Sequence, residues 1–365
     1  MKKLLSVSLV LVLVVGLLAG CGGGNNNDSG SSADEGTGIV KLGIGQNTSI
    51  AKSKDLGVDA EGKEVLPLGQ VDTVIVAAAF DKDGKVVKVT IDNAQTKVKF
   101  DKDLQVTSDK AAEYKTKVEL GDEYGMIKAS SIKKEWYQQI AELEKWMIGK
   151  TVEEVKAMKT VNKDATHPAV PDVAELTSLV TVSIQDYVAA LEEAYTNAVD
   201  LKKGTEKIGL GHVVSIAKSK GLGKDKDGKE VTPLAQVDTV MVAGAFDKDG
   251  KVVSTIIDNA QTKVTYDNTG KVTADKAAEY KTKVELGDEY GMIKASSIKK
   301  EWYQQIAELE KWMAGKTMEE VKAMKTVNKD ESHPAVPDVA ELTSLVTVSV
   351  QDYIASLDEA YQKAK

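Results

Sequence analysis

Cysteine is nearly absent from this sequence, which has a single one, Cys21, among 365 residues. No intramolecular disulfide, iron–sulfur cluster, c-type haem attachment or cysteine-based zinc site can therefore be built. Arginine is missing altogether, so all 48 basic residues are lysines, and the formal net charge is −8. Because phosphate contacts need a positive field and base readout relies on the guanidinium fork, recognition of nucleic acid is effectively excluded.

Familiar catalytic and metal-binding motifs are missing too. No Gly-x-Ser-x-Gly, P-loop or dinucleotide fingerprint occurs. The string DKDG at 81–84 and 247–250 lacks the ligands of an EF-hand loop and predicts a hairpin turn. Of the three histidines, His167 and His333 occupy equivalent strings, and His212 has no counterpart. With one equivalent histidine in each half and no second one four residues away, we expect no metal site and no catalytic residue.

The N-terminus has the pattern of an exported, lipid-anchored protein. Two lysines precede an apolar run at 4–18, which is too short to span a bilayer comfortably and ends in small residues, as a cleaved signal does. The string LAGC at 18–21 resembles the lipobox of bacterial prolipoproteins. This resemblance implies a signal peptide at 1–20, diacylglycerol on Cys21 and a location on the extracellular face of the cell membrane. A transmembrane anchor, or a secretion signal with a chance cysteine, is the alternative.

The rest of the chain divides into a tether and two copies of one unit. Residues 21–38 are mostly Gly, Asn, Ser and acidic residues and predict a flexible tether. A shift of 166 residues places Asp109 on Asp275, and every residue from there to Met147 is then identical in the two copies. Each copy is large enough to have its own core. The sequence predicts two tandem domains and a joint between them, at 39–200, 207–365 and 201–206.

Each domain is predicted to have an α+β fold with antiparallel hairpins and several helices. In the first copy, the β-rich runs VDTVIVAAAF (71–80) and KVVKVTI (85–91) predict a hairpin around DKDG. The shorter runs KVKF (97–100) and LQVT (104–107) predict a second hairpin.

The later half of each domain has helical patterns. Apolar residues spaced three and four apart over Trp136–Met147 predict a helix that starts near Ser131. A T-x-x-E capping box at Thr151 opens another short helix. Ser183 is expected to cap the last helix.

A repeated motif resembles a flavinylation signature. ELTSLVTVS at 175–183 and 341–349 is similar to D-x-x-[ST]-G-A-T-x-[ST], which marks extracytosolic FMN-binding domains modified by ApbE-type flavin transferases. The resemblance implies FMN joined through its phosphate to Thr181 and Thr347. Leu and Val stand where the signature has Gly and Ala, and a plain β-strand remains the alternative. The other hydroxyls that match the signature are Ser178, Ser344, Ser183 and Ser349.

An aromatic segment strengthens the resemblance. The part EYGMIKASSIKKEWYQQ (123–139) of the aromatic segment GDEYGMIKASSIKKEWYQQ (121–139), followed by GKTVEEVKAM (149–158), is similar to the PplA-like flavin lipoproteins of Gram-positive extracellular electron transfer. Tryptophans as core anchors and histidines as plain loop residues are the alternatives. The candidates for the walls of two flavin pockets are Tyr124, Met126, Trp136, His167, Tyr290, Met292, Trp302 and His333.

The expected function is a non-enzymatic electron carrier with two covalent FMN groups. The resemblance implies electron delivery from a membrane NADH dehydrogenase and quinone pathway to external acceptors such as ferric iron or soluble flavins. Covalent attachment suits a place where free flavin is scarce, because half-occupancy at nanomolar flavin demands about −12 kcal/mol of binding free energy. The alternative is a surface lipoprotein that binds a ligand or partner without redox chemistry. A minor alternative is a pheromone released from the signal peptide.

Overall fold

A computed structural model of the protein describes residues 38–365. The signal peptide expected at 1–20, the lipidation site Cys21 and the tether up to residue 37 lie outside the described residues. From residue 38 onward, no helix has both the length and the hydropathy that crossing a membrane requires.

The first half of the described chain has a four-stranded antiparallel sheet in the order β5-β4-β1-β8. Two short hairpins, β2-β3 and β6-β7, accompany it. The strands are β1 (Lys41–Ser49), β2 (Gly57–Val58), β3 (Glu64–Val65), β4 (Leu68–Phe80), β5 (Val86–Lys99), β6 (Thr160–Val161), β7 (Val170–Pro171) and β8 (Val199–Asp200). The α-helices are α1 (Lys117–Leu120), α2 (Trp136–Met147), α3 (Val152–Lys156) and α4 (Gln185–Thr196), with 3-10 helices at Gly121–Tyr124 and Met126–Lys128.

The second half repeats this arrangement with the sheet order β13-β12-β9. Its strands are β9 (Thr205–Ser215), β10 (Gly223–Lys224), β11 (Glu230–Val231), β12 (Leu234–Asp247), β13 (Val252–Thr265), β14 (Thr326–Val327) and β15 (Val336–Pro337). Its helices are α5 (Lys283–Leu286), α6 (Trp302–Met313), α7 (Met318–Lys322) and α8 (Gln351–Gln362), with 3-10 helices at Gly287–Tyr290 and Met292–Lys294. The α+β fold class is therefore confirmed.

Both faces of β4 are buried, because helices cover one face and the other half of the chain covers the opposite one. Val74, Val76 and Ala78 pack with Trp136 of α2 and Leu191 of α4. Successive side chains of a strand point to opposite faces, so the alternate residues of β4 meet those of β12. This second set consists of Ile75, Ala77, Ala79, Met241, Ala243 and Ala245. The two sheets thus pack against each other, with helices on the outer faces.

Between the two sheets lies an inner layer of apolar clusters, each of which contains residues of both halves. Equivalent positions of the two copies face each other, as in the self-complementary interface of a symmetric dimer. One example is the pair Phe100 and Tyr266, whose ring centroids are 5.3 Å apart. The described residues, 38–365, accordingly belong to one compact unit. The expected joint at 201–206 is shorter than predicted, because β9 already begins at Thr205. Independent folding of each copy stays a prediction.

Glycines in β1 allow helix α4 to lie directly on the sheet. A Cβ atom at Gly43 would come within 1.7 Å of the carbonyl oxygen of Ala194, and one at Gly45 within 2.1 Å of that of Ala190. In the second half, Gly209 allows the same approach of α8 to β9. Any side chain at these positions would push the helix away from its strand. The glycines therefore set the positions of α4 and α8.

The expected second hairpin is confirmed in a short form. Residues 97–99 continue the long strand β5 and pair with β4. The chain then turns back, because Phe100 forms an antiparallel bridge with Val106 and the Thr107 N–H donates to the Lys99 carbonyl at 2.9 Å. The apolar side chain of Phe100 is buried against the other half of the molecule.

The segment 175–183 is not a β-strand, so that alternative is wrong. It forms consecutive turns, in which the Val180 N–H donates to the Leu176 carbonyl at 2.9 Å. Leu176, Val180 and Ile184 are all buried, and their spacing of four shows that the segment does not alternate between two faces. Helix α4 is capped by Ile184, without a side-chain bond, so the prediction of Ser183 as the cap is also wrong.

The other helix predictions differ in detail. The capping box at Thr151 is confirmed, because the Glu154 N–H donates to its side chain. Helix α2 begins at Trp136 and not near Ser131, because Glu135 is the residue that caps it.

Candidate functional site

A cleft of about 680 Å³ lies in the second half, beside the first turn of α8. Its volume falls within the range of roughly 300–1,000 Å³ that is usual for small-molecule sites. Its walls come from β9, β12, β13, the segment before α6, the loop before β15 and the start of α8. Five residues predicted from the sequence line this one cleft: Tyr290, Met292, Trp302, His333 and Ser349.

A buried lysine, Lys283, lies in the wall of the cleft between two aromatic rings. Its Nζ is 5.0 Å from the ring centroid of Tyr290 and 5.1 Å from that of Trp302. Within residues 38–365 this ammonium donates no hydrogen bond to another side chain or carbonyl, and burial lowers the pKa of Lys283 to about 8. The rings favour the charged form, because their faces attract a cation. The cleft therefore offers positive charge to a bound group.

Trp302 belongs to both the core and the cleft. Its indole Nε1 donates to the Tyr353 hydroxyl at 3.0 Å, and only 1% of the residue is exposed. It packs in the apolar cluster under the second sheet. This packing supports the alternative that the tryptophan anchors the core, and the same ring contributes a flat apolar part of the cleft wall.

Some buried polar atoms at the site have no partner within the described residues. The Oδ1 of Asn259, a residue that lines the cleft, is one of them, and the Oδ1 of its counterpart Asn93 is another. The Oγ of Ser183 is a third, whereas the Oγ of Ser349 accepts from the Ala335 N–H at 3.4 Å. Leaving a buried acceptor unpaired costs about 1–3 kcal/mol. A ligand with an N–H donor would remove part of this cost.

Charges of both signs surround the cleft. Lys218 forms an ion pair with Asp238 at 3.3 Å. Burial raises the pKa of Asp352, in the first turn of α8. His333 is exposed, and its Nδ1 lies 2.8 Å from Asp330 Oδ1. The cleft is therefore of mixed charge, with three carboxylates and two lysines in its wall.

Thr347 lies next to the cleft wall and is held by a buried glutamine. The Oε1 of Gln305 accepts both the Thr347 N–H at 2.8 Å and its Oγ1 at 3.1 Å. Gln305, on α6, is fully buried and donates in turn to Ser296 Oγ at 3.3 Å. The two residues that follow Thr347 line the cleft, but Thr347 itself is not part of its wall. Ser344 is exposed and does not join this group.

The first half has the same contacts at the equivalent positions. Nζ of Lys117 is 5.0 Å from the ring centroid of Tyr124 and 5.2 Å from that of Trp136. Burial lowers the pKa of Lys117 to about 8. The N–H and Oγ1 of Thr181 donate to Gln139 Oε1 at 2.8 and 3.2 Å. The two threonines therefore have the same hydrogen-bond geometry.

The remaining first-half candidates keep the burial of their counterparts. Met126 and Ser183 are half-buried, whereas His167 and Ser178 are exposed. These side chains follow the pattern of the second half, so any ligand site there would be built from the same residue types.

Three residues in or beside the cleft wall escaped the sequence analysis: Lys283, Gln305 and Asn259, each with a counterpart in the first half. One signal was present for Lys283, because T-x-x-E at 282–285 is a second capping box and places this lysine at the first helical position. Nothing in the sequence marks Gln305 or Asn259, since their importance arises from contacts between distant segments.

No protein-family model, curated protein or solved structure matches this chain.

Proposed function

We propose that this protein is an electron carrier anchored to the extracellular face of the cell membrane through Cys21, with FMN attached covalently to Thr181 and Thr347. An ApbE-type flavin transferase would attach the FMN. The observation that carries the proposal is the cleft. It brings together five candidates from three separate segments of the sequence, and it is next to Thr347.

The residues around the cleft fit an FMN group. Bound FMN supplies one- and two-electron redox chemistry. Trp302 and Tyr290 offer apolar aromatic surface, and the unpaired Oδ1 of Asn259 is an acceptor for an N–H donor. Lys283 adds a positive charge that favours negative charge on a bound ligand. The Thr347 oxygen would form the bond to the FMN phosphorus and lose its proton, while the transferase breaks the pyrophosphate bond of a flavin dinucleotide donor and a nucleoside monophosphate leaves.

The Leu–Val pair that departs from the flavinylation signature does not strain the backbone. Within residues 38–365, the non-glycine residues with positive φ are Leu104, Lys133 and Lys299. Val180 and Val346 are fully buried and contribute to the two outer cores. The segment therefore needs no left-handed conformation of the kind that glycine permits.

The proposed route of electrons rests on the family resemblance. Electrons would come from a membrane NADH dehydrogenase and quinone pathway and pass to ferric iron or soluble flavins. The protein would carry electrons without being an enzyme.

Co-expression with a flavin transferase, followed by intact mass measurement, tests the proposal. We expect two additions of FMN mass, and a yellow colour that remains with the protein after denaturation. A protein that is loaded under the same conditions serves as the positive control for the transferase. A colourless chain of unmodified mass beside that control contradicts the carrier function.

A second candidate function is non-covalent ligand binding by a surface lipoprotein. The observation in its favour is that the Thr347 hydroxyl already bonds to Gln305 and is not part of the cleft wall. In that case flavin, or another flat anionic ligand, is lost on denaturation and the mass stays unmodified.

A further inference from the structure

A histidine surrounded by carboxylates lies between the two halves of the molecule, and it is not part of the cleft wall. Nε2 of His212 is 2.9 Å from Asp92 Oδ2. Its Nδ1 is 3.4 Å from Glu359 Oε2 and 3.7 Å from Glu119 Oε2. Asp92 and Glu119 belong to the first half, and His212 and Glu359 to the second. The His212 side chain is 2% exposed.

The distances from Nδ1 to the two glutamate oxygens are those expected between ligands of one metal ion. Because the Asp92 carboxylate can only accept, Nε2 carries the hydrogen of this bond and Nδ1 is left to face two further carboxylate oxygens. Separations of 3.4 and 3.7 Å are long for a hydrogen bond. They are close to the edge of a tetrahedron around zinc, which is about 3.3–3.6 Å for bonds of about 2.0–2.2 Å. The three atoms also lie within 4.8 Å of one another.

We propose that Glu119 Oε2, His212 Nδ1 and Glu359 Oε2 bind one divalent transition-metal ion, and that this ion fastens the two halves together. Nitrogen and carboxylate donors in this number fit zinc. Asp92 is a positioning residue, since a carboxylate on the second ring nitrogen fixes the tautomer of a metal-binding histidine.

The neighbouring groups leave the required oxygen atoms available. Lys363 pairs with Oε1 of Glu359 and lies 4.0 Å from Oε1 of Glu119, so it occupies the opposite side of both carboxylates. The Oε2 atoms accept backbone hydrogen bonds, from His212 at 2.7 Å and from Thr116 at 2.8 Å. The Thr116 hydroxyl also lies 3.2 Å from Glu119 Oε2, but its single hydrogen is donated to Asp92 Oδ2 at 2.7 Å. The backbone bonds orient the two Oε2 atoms, and each keeps a lone pair for the ion. A cavity of about 300 Å³ adjoins Glu119 and His212 and provides a path of entry.

The position in the first half that is equivalent to His212 has no such arrangement. Gln46 replaces the histidine there, between Glu193 and Glu285, the counterparts of Glu359 and Glu119. Its amide Nε2 donates to Glu285 Oε2 at 2.9 Å. An amide donor satisfies the carboxylate without a cation, so we infer one ion for each chain and not two.

This difference supplies matched variants. The test uses full-length protein purified in detergent, freed of metal by a chelator and titrated with zinc chloride, with bound zinc measured by elemental mass spectrometry. We expect one zinc per chain. His212→Gln should fold, because Gln46 fills the equivalent place, and should weaken zinc binding by at least about a hundredfold. Glu119→Gln should weaken it similarly, whereas Glu285→Gln should bind zinc like the wild type.

A second measurement follows the role of the ion. Zinc should raise the melting temperature of the wild type and of Glu285→Gln, and leave that of His212→Gln unchanged, because only an ion bound to the folded state stabilises it. A wild type that binds no zinc overturns the proposal, and His212 is then held as an imidazolium by its three carboxylates. Equal zinc binding by the wild type and His212→Gln overturns it as well.

Discussion

The hydroxyl and the amide of Thr347 both donate to a single atom, Oε1 of Gln305, at 3.1 and 2.8 Å. The same pair of bonds joins Thr181 to Gln139 in the first half. Because both glutamines are fully buried, the core of each half determines where its threonine lies. The threonine singled out by the flavin resemblance is therefore held in one orientation next to the cleft.

Thr347→Val should remove one of two FMN additions after co-expression with a flavin transferase, and Thr181→Val the other, because only the hydroxyl can form the ester. Intact mass measures the loss, and peptide mapping shows which residue is modified. Thr343→Val is the matched control. Its hydroxyl bonds to the Val339 carbonyl, outside the expected attachment point, so both additions should remain.

Thermal melting of each threonine variant checks that the fold is kept, since exchanging a hydroxyl for a methyl group is not neutral in general. A double variant, Thr181→Val with Thr347→Val, that still carries covalent flavin would assign the attachment to another hydroxyl, such as Ser183 or Ser349.

Lys283→Met should stabilise the flavin-free protein at pH 7 by about 2–3 kcal/mol, because folding of the wild type buries a charge. The pKa of Lys283 falls from 10.5 to about 8 on folding. Between these values the unfolded chain binds more protons than the folded one, so wild-type stability rises with pH there. The advantage of the variant should therefore shrink from pH 8 towards pH 10.

Urea unfolding at a series of pH values measures this effect. Lys281→Met, at an exposed position two residues away, is the matched control and should change stability by less than about 0.5 kcal/mol. A variant at Lys283 that is less stable than the wild type at pH 7 would show that the contacts with Tyr290 and Trp302 outweigh the cost of burial.

In flavin-loaded protein, Lys283→Met should lower the reduction potential of the second FMN by a few tens of millivolts, where about 30 mV corresponds to 1.4 kcal/mol for a two-electron couple. The reason is that a nearby cation favours the more negative, reduced group. Spectroscopic titration of a chain with Thr181→Val isolates the second flavin. An unchanged potential places the flavin away from this lysine.

A fragment containing residues 39–200 should fold and then self-associate. Without the second half it exposes Ile75, Ala77 and Ala79, which the equivalent residues of another copy can cover. Sedimentation measures its mass beside that of the tandem protein. A monomer that melts at the same temperature as the tandem protein would show that the packing between the two sheets contributes little to stability. An unfolded fragment would show that the first copy is not an independent domain.

Cys21→Ala should abolish incorporation of a fatty-acid probe, because it removes the only thiol of the chain. Gly24→Ala leaves the LAGC string intact and should be labelled like the wild type. Gel fluorescence measures incorporation of the probe into both variants. Labelling of Cys21→Ala at the wild-type level refutes the lipid anchor.

Local patterns in the sequence predicted a good part of the fold. The hairpin of β4 and β5 follows from two β-rich runs around DKDG, and the capping box at Thr151 follows from four residues. Where local signals were ambiguous the prediction failed. The segment 175–183 has the composition of a strand, yet its buried residues are spaced by four, because the segment packs on the helices as a series of turns.

The sequence by itself determined the duplication, the α+β class and the expectation of an anchored flavin protein, because these depend on residue types and spacings along the chain. Only the tertiary structure decided which faces of the two sheets meet, that Lys283 lies between Tyr290 and Trp302, and that His212 faces carboxylates of the other half. Contacts of this kind join residues far apart in the chain. A continuous apolar run such as residues 74–80 signals burial of both faces of a strand, but it does not say which surfaces cover them.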